Sequence, residues 1–273
     1  MKNITKSELL TLPVPIPPLN EQTAMADLLS TWDEAIEKTE RLIQAKERQY
    51  RHLVRRLIHQ QQSLSEVKLG DIATPITTKN AVGEANVLTS SAEHGLISQL
   101  EYYNKSVSAD DVSGYYLLER GDFAYNRSSA TGYPYGAIKR LDRYERGVLS
   151  TLYICFRLTD TQKADSNYLT DLFEAGVLNR QLRGICQAGA RSHGLLNVTK
   201  SDFFSLKIPL PSIERQREIA EKLDLARSEI SLLTELNEKY QTQKRGLMQK
   251  LLTGKWRVRL PDSNTKQREL SPC

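Results

Sequence analysis

The sequence contains one stretch twice. Residues 3–58 and 197–252 align without a gap at a constant offset of 194 positions. In both copies a proline-rich segment precedes a long helical pattern. An internal repeat of this size indicates a duplicated structural unit, so we expect two equivalent segments on either side of an inserted domain. Identical pairs include Asn3 and Asn197, Lys6 and Lys200, Pro15 and Pro209, Gln22 and Gln216, Leu29 and Leu223, and Leu57 and Leu251.

Each copy enters its helix through alternating prolines, in LPVPIPPLNEQ and LKIPLPSIERQ. Proline fixes φ and disfavours helix in the residue before it, so both runs are expected to be extended. Asn20 and Ser212 are candidate N-caps. Beyond them, apolar residues recur with heptad spacing, which predicts two helices, each roughly 60 Å long and carrying a coiled-coil seam. In the first helix these residues are Leu29, Ile36, Ile43, Tyr50 and Leu57.

Charge is distributed in the same order along both helices. Residues 21–40 contain six acids and one base, whereas residues 41–56 contain six bases and one acid. Residues 214–238 contain seven acids and four bases, and residues 239–259 contain seven bases and no acid. An antiparallel pair would set acid against base, so we predict an antiparallel coiled coil. The alternative is that this order only complements the helix dipole, although the dipole acts only over terminal turns.

The residues between the repeats predict a strand-rich domain, and hence an α+β protein. Strand-like runs occupy residues 67–73, 86–88, 115–118, 121–125, 136–139 and 148–158, and helical runs occupy residues 166–175 and 177–187. The expected organisation is an extended entry at 1–19, a first helix at 20–62, the inserted domain at 63–208, a second helix at 209–254 and a disordered polar tail at 255–273.

Composition restricts the possible function classes. Nothing in the sequence resembles a signal peptide or an 18-residue apolar run, and its mean hydropathy is −0.48, so we expect a soluble cytoplasmic protein. Cys155, Cys186 and Cys273 are too few and too far apart to indicate a disulfide framework or a zinc site. Bases exceed acids locally, by six to three in residues 120–146 and by five to one in residues 180–207. Such patches are typical of nucleic-acid contact.

Three candidate loops carry side chains that can contact DNA. Hydroxyl, amide, basic and aromatic groups reach phosphates and base edges. Arg127 and Arg191 could each fork onto a guanine, and Asn126 could pair with an adenine edge. The alternative is that these loops are ordinary turns, in which glycine, serine and asparagine are common. The candidate DNA-binding residues are Ser90, Ser91 and His94 in the first loop, Asn126, Arg127, Ser128, Ser129, Thr131, Tyr133, Tyr135 and Lys139 in and after the second, and Arg191, Ser192 and His193 in the third.

No catalytic motif is visible in the sequence. It contains no GxGxxG, GxxxxGK[ST], HExxH or paired CxxC motif. The one Pro-Pro pair, Pro17 and Pro18, lies in an extended entry rather than in the Asn/Asp-Pro-Pro-aromatic tetrapeptide of adenine methyltransferases. We therefore expect no catalytic residue, no metal site and no cofactor bound by this chain.

The doubled motif resembles the specificity (S) subunit of type I restriction-modification systems. The resemblance is carried by LPVPIPPLNEQ and the helix after it, by NVTKSDFFSLKIPLPSIERQREIA with QKRGLMQKLLTGK, and by LGDI, GDFAYNRSSATG and GVLSTLYICF. It covers nearly the whole chain, which resembles either a half-length subunit or a fragment with one target-recognition domain. It implies a non-catalytic subunit of a DNA methyltransferase and endonuclease complex. In that family each recognition domain reads one half of a bipartite double-stranded DNA target, and the conserved helices set the gap between the halves.

The resemblance also implies partners. The helices would dock modification subunits that bind S-adenosylmethionine and methylate adenine, and restriction subunits could add cleavage. A full-length member has two recognition domains, whereas residues 2–15 look like the end of a first one. If the chain works alone, a homodimer would restore two recognition domains, and its two-fold symmetry would make the target palindromic. The alternative function is a coiled-coil scaffold whose inserted domain binds a protein partner.

Overall fold

The computed structural model describes residues 5–11, 16–60, 65–104, 111–187 and 196–258. It divides into a helical unit, formed by residues 1–49 and 226–273, and a mixed unit, formed by residues 50–225. The predicted α+β class is confirmed. Among the described residues no helix has the length and apolar character needed to cross a membrane.

The described residues form two long helices with shorter helices and strands between them. The helices are α1 (Lys6–Leu10), α2 (Leu19–Val54), α3 (Gln99–Tyr103), α4 (Ser166–Glu174), α5 (Asn179–Gln187), α6 (Lys200–Phe204) and α7 (Ile213–Leu252). The strands are β1 (Glu66–Lys68), β2 (Ala73–Pro75), β3 (Leu88–Ser91), β4 (Gly95–Ser98), β5 (Tyr116–Glu119), β6 (Phe123–Asn126), β7 (Ala137–Arg140), β8 (Arg146–Leu149), β9 (Ile154–Leu158) and β10 (Lys207–Pro209).

Both copies of the repeat contain a short helix followed by a long helix. Helices α1 and α6 begin 194 positions apart, and so do α2 and α7. Ser212 caps α7 as predicted, because its Oγ accepts a hydrogen bond from the Arg215 amide at 3.4 Å. Asn20 lies inside the first turn of α2, where its Oδ1 accepts from the Glu21 amide at 2.9 Å.

In the helical unit, α2 and α7 run antiparallel. The Trp32 ring meets the Tyr240 ring edge to face, with centroids 5.8 Å apart. Further along α2, Lys46 lies 2.7 Å from Glu229, so residue numbers rise along one helix as they fall along the other. Each contact pairs the acidic half of one helix with the basic half of the other, as the charge pattern predicted. Further polar contacts across the seam join Asp33 with Lys244, Glu40 with Asn237 and Gln241, and Glu21 with Arg257.

In the mixed unit, a four-stranded antiparallel sheet has the order β2-β9-β6-β7. Strands β5 and β8, β3 and β4, and β1 and β10 form three separate antiparallel pairs. Apolar residues on one face of the central sheet are set opposite one another by the register, which places Phe123 against Phe156.

The larger of the two hydrophobic clusters packs helices α4 to α6 against this sheet. Phe123 stacks on Phe156 with ring centroids 5.2 Å apart, and Phe173 meets Phe123 edge to face. The same cluster contains Leu57 and Ile219 from the portions of α2 and α7 that belong to this unit. The mixed unit therefore extends beyond the inserted domain expected at 63–208, because both helix ends supply core residues.

Two predicted strands are interrupted. Residues 148–158 form β8 and β9 with a turn at residues 150–153, rather than one strand. Ser150 causes the turn: its carbonyl accepts from the Tyr153 amide at 3.1 Å, and its Oγ accepts from the Leu152 amide at 3.3 Å. Similarly, the run predicted at 67–73 is divided by a 3₁₀ helix, Leu69–Asp71, between β1 and β2.

Candidate nucleic-acid interface

The second candidate loop joins β6 to β7, as predicted. Asn126 ends β6, and its Oδ1 accepts a hydrogen bond from the Ser128 amide at 3.0 Å, which turns the chain out of the sheet. Ala130 and Tyr133 then exchange two backbone hydrogen bonds of 3.1 and 2.9 Å. Between them Thr131 is exposed, and Ser129 just before them is exposed as well. The loop is therefore a small ordered hairpin that presents hydroxyl groups.

Gly136 is the last residue of this loop, and its position requires a glycine. Its φ is +82°, and an added Cβ would lie 2.2 Å from the Asn126 carbonyl oxygen and 2.6 Å from Cε2 of Tyr125. The close approach lets the Tyr125 hydroxyl donate to the Tyr135 carbonyl at 2.7 Å. Burial raises the pKa of Tyr125, so this hydroxyl remains a donor. Both ends of the loop are thus anchored to the core.

Arg127 binds two separate parts of the mixed unit through three hydrogen bonds. Its Nε donates to the Leu152 carbonyl at 2.9 Å, and its Nη1 donates to the Val198 carbonyl at 3.4 Å. Its own carbonyl accepts from the Leu196 amide at 2.8 Å. The side chain is half-buried, and two of its donor groups are already used. We therefore assign Arg127 mainly to holding the second loop, the 150–153 turn and the segment at 196–198 together.

Lys139 also has a positioning role, because its charge is buried. Its side chain is 6% exposed, and Nζ lies 2.6 Å from Glu174, 2.7 Å from the Tyr133 hydroxyl and 3.1 Å from the Ala92 carbonyl. The Tyr133 hydroxyl in turn donates to Glu174 at 2.6 Å. Burial first, and Glu174 second, raise the pKa of Tyr133. Lys139 thus connects the first and second candidate loops to helix α4, and its charge is neutralised there.

The first candidate loop is shorter than predicted. Ser90 and Ser91 lie in strand β3 rather than in a loop after it, and the turn occupies residues 92–94. Ser91 is buried, and its Oγ accepts from the amides of Glu93 and His94 at 3.3 and 3.2 Å. Hydroxyl groups compete for backbone partners in this way at strand ends. His94 is exposed, and its Nε2 lies 3.9 Å from Glu93.

The two basic patches differ in how far their charges are neutralised. In the first patch, most of the bases form ion pairs with nearby acids. In the second patch, Arg180 and Arg183 are exposed on helix α5 and form no ion pair with any described residue. The second patch therefore keeps positive charges that no described acid neutralises. The pairs of the first patch are Arg120 with Glu145, Lys139 with Glu174, Arg140 with Asp142, Arg143 with Glu101 and Arg146 with Glu119.

The remaining predicted residues fall into two groups. Ser128, Tyr133 and Tyr135 are half-buried in or beside the second loop. Arg191, Ser192 and His193 lie outside the described residues, as does the chain beyond residue 258. The described residues nearest to them in the sequence, on α5 and at 196–198, belong to the mixed unit.

The turn at residues 150–153 is a part of the candidate site that was not predicted from the sequence. The run 148–158 alternates through this turn without glycine or proline, so its pattern favours an unbroken strand. Ser150 was the one available signal, because serine favours turns through its hydroxyl. In the structure the turn contacts two candidate loops. Arg127 binds its Leu152 carbonyl, and Tyr153 interacts with Thr89 and Ser90, which opposes the rise in its pKa caused by burial.

Comparison with known proteins identifies the relatives of this chain. A family model described as the type I restriction modification DNA specificity domain matches residues 1–47 and 64–241. The type I restriction enzyme MjaVIII specificity subunit of Methanocaldococcus jannaschii is 25% identical over 94% of this chain and 65% of its own length. The putative type I restriction enzyme MjaX specificity subunit of the same organism is 24% identical over 94% of this chain and 62% of its own length. The chain therefore spans less than two thirds of these relatives.

A solved structure has the same fold. The crystal structure of the HsdS subunit from Thermoanaerobacter tengcongensis matches with a TM-score of 0.56 at 16% identity, over 94% of this chain and 64% of that one. At this identity the likeness concerns the arrangement of helices and strands alone.

Proposed function

Because the chain belongs to the family of type I restriction modification DNA specificity domains, we propose that it is a non-catalytic subunit that reads DNA sequence. Its mixed unit reads one half of a bipartite target in double-stranded DNA. Its helices dock modification subunits that bind S-adenosylmethionine and methylate the target, and these subunits supply the chemistry.

The observation that carries this proposal is the meeting of separate loops at one place. Arg127 hydrogen-bonds the 150–153 turn and the segment at 196–198, and Tyr153 interacts with Thr89 and Ser90. Groups that read a base pair must be held in a defined geometry, because discrimination depends on hydrogen-bond direction. A set of polar loops bound to one another and to a rigid sheet provides that geometry.

The salt dependence of binding tests this proposal. The wild-type chain, together with its modification subunits, should bind its target selectively, and affinity should fall steeply as salt rises. Arg180→Ala and Arg183→Ala should each weaken binding to all sequences and reduce the salt slope by about 1. Lys163→Ala is the matched control, because Lys163 is exposed but paired with Asp160 at 3.2 Å.

The target itself is read by methylome sequencing of cells with and without this gene. A bipartite methylated motif that disappears with the gene supports the proposal. If binding is unaffected by salt and no motif depends on the gene, the proposal is wrong, and the inserted domain would instead be assigned to a protein ligand.

Docking of modification subunits is proposed on the outer face of the helical unit. Leu42 on α2 and Leu236 on α7 are equivalent in the repeat, and they are 44% and 38% exposed. Two equivalent apolar positions suit two copies of one partner. Leu42→Lys and Leu236→Lys should each reduce co-purification of the modification subunit, whereas Lys38→Glu, on an exposed α2 position paired with Glu34, should not. Unchanged co-purification of the double variant would remove these positions from the interface.

We also propose that the chain forms a homodimer, because two copies supply two recognition domains. Phe203 and Leu210 are 0% and 8% exposed in the second copy of the repeat, whereas their equivalents Leu9 and Ile16 are 61% and 78% exposed. Leu19 is also 77% exposed. Apolar side chains that are exposed here, but buried at the equivalent positions of the second copy, indicate a surface that a binding partner covers. We place the contact between two chains here.

The oligomeric state tests this part. Light scattering after gel filtration should give twice the mass of one chain, and Ile16→Glu with Leu19→Glu should halve it. Leu225→Glu is the control, because Leu225 is also exposed but lies on α7 in the mixed unit. A wild-type monomer that binds an asymmetric site would exclude the homodimer and leave DNA recognition unaffected.

A further inference from the structure

The 150–153 turn, which Arg127 binds, carries an exposed leucine. Leu152 is 52% exposed, although its backbone is bound at both ends. Its amide donates to the Ser150 hydroxyl at 3.3 Å, and its carbonyl accepts from Arg127 Nε at 2.9 Å. An apolar side chain is therefore presented to solvent by a turn that hydrogen bonds hold in place.

The surroundings of Leu152 are those of a recognition surface. Tyr153, the next residue, hydrogen-bonds Thr89 and Ser90 of strand β3. Arg127 connects the turn to the second loop and to Val198. The leucine thus projects from a turn that Arg127 connects to the second loop and to Val198, and that Tyr153 connects to strand β3.

From this geometry we propose that Leu152 contacts a base of the target directly, and that Arg127 acts through it as a positioning residue. The inference rests on the proposed function. Duplex DNA presents apolar surface of a base to a protein in two ways. One is the 5-methyl group of a thymine in the major groove, and the other is the face of a base exposed at an opened step.

In this proposal Arg127 holds the 150–153 turn in place and does not itself contact a base. A guanidinium that reads guanine needs its fork free, whereas two donors of Arg127 already bind the carbonyls of Leu152 and Val198. Loss of Arg127 therefore releases the turn, and selectivity falls because Leu152 is no longer held. The effects of the two side chains on binding are then coupled rather than additive.

The test uses the full chain with its modification subunits and a duplex that contains the methylated motif. Leu152→Ala should lower affinity for this duplex by about tenfold, while affinity for unrelated DNA is unchanged. Leu225→Ala is the control, because Leu225 is 71% exposed on α7. Since Leu152 is exposed, its variant should keep the thermal unfolding midpoint of the wild type.

Two modified duplexes distinguish the sources of the apolar contact. If the partner is a thymine methyl, replacing that thymine by deoxyuridine should weaken wild-type binding as much as Leu152→Ala does, and the variant should not respond to the replacement. If the partner is an opened base step, 2-aminopurine placed there should brighten with wild type and stay dim with the variant.

A double-mutant cycle with Arg127→Ala tests the coupling. The double variant should bind like Arg127→Ala alone. Strictly additive losses would overturn the positioning role of Arg127, and wild-type affinity in Leu152→Ala would overturn the base contact while leaving the proposed function intact. If the wild-type chain shows no selective binding at all, the proposed function fails, and the inference fails with it.

Discussion

The Lys139 ammonium lies 2.6 Å from the Glu174 carboxylate, where a buried cation on strand β7 meets the last residue of helix α4. Tyr133, from the second candidate loop, hydrogen-bonds both groups. One ion pair therefore holds the loop, the sheet and the helix together. A buried charge that loses its partner is strongly destabilising, so this contact should be detectable in the stability of the protein.

Replacing either member of this pair should reduce the free energy of unfolding. We expect Lys139→Met to cost about 2–4 kcal/mol, because Glu174 and Tyr133 lose their partner. Glu174→Gln should also be destabilising, because it leaves the buried charge of Lys139 without a counter-ion. Chemical denaturation measures both values. Lys163→Met, which breaks an exposed pair with Asp160, should change stability by less than about 1 kcal/mol. Equal losses in Lys139→Met and Lys163→Met would show that the buried ion pair of Lys139 does not stabilise the protein more than an exposed one.

The backbone at Gly136 should not tolerate a side chain. Gly136→Ala places a Cβ 2.2 Å from the Asn126 carbonyl oxygen, in addition to the cost of φ at +82°. Gly132→Ala provides the matched control, because its φ is +83° and no atom lies within 4 Å of the added Cβ. We expect Gly136→Ala to lower stability by at least about 1 kcal/mol more than Gly132→Ala does. Indistinguishable unfolding midpoints would contradict the close approach.

The antiparallel seam should respond to charge reversal as a pair. Lys46→Glu and Glu229→Lys each replace the native ion pair, at 2.7 Å, by two like charges. Each should reduce stability by roughly 0.5 kcal/mol. The double variant restores attraction and should recover most of the loss. Thermal unfolding in low salt measures this cycle. If the double variant only adds the two losses, Lys46 and Glu229 do not interact across the seam.

Stability should fall in acid partly through Glu218. Lys222 and, second, Arg215 lower the pKa of this carboxyl to about 2. Because the folded pKa is below the ordinary value of 4.5, the stabilisation is complete above that value and is lost as the pH falls toward 2. Glu218→Gln should therefore flatten the decline of the unfolding midpoint in this window. The group is exposed, so high salt should reduce the difference between the variant and wild type, and an unchanged acid profile would exclude this contribution.

Much of the frame could be predicted from local patterns. The heptad spacing and the acid-to-base order along each helix predicted two long helices and their antiparallel pairing, and contacts such as Lys46 with Glu229 confirm it. The repeat predicted equivalent starting points for both helices. Periodicity and charge act between residues that are close in sequence or equivalent by register, so they can be read from the chain itself.

The arrangement of the candidate site was decided by tertiary structure. Alternation continues through residues 148–158, so no local pattern separates β8 from β9, and the turn that carries Leu152 was not predicted. Arg127 reaches Leu152 and Val198, which are 25 and 71 positions away in the sequence. Lys139 is buried because Glu174, 35 positions later, neutralises it. Partners this distant are set by strand order and packing, which is why the sequence identified the loops while only the folded chain determined which of their side chains remain available to a ligand.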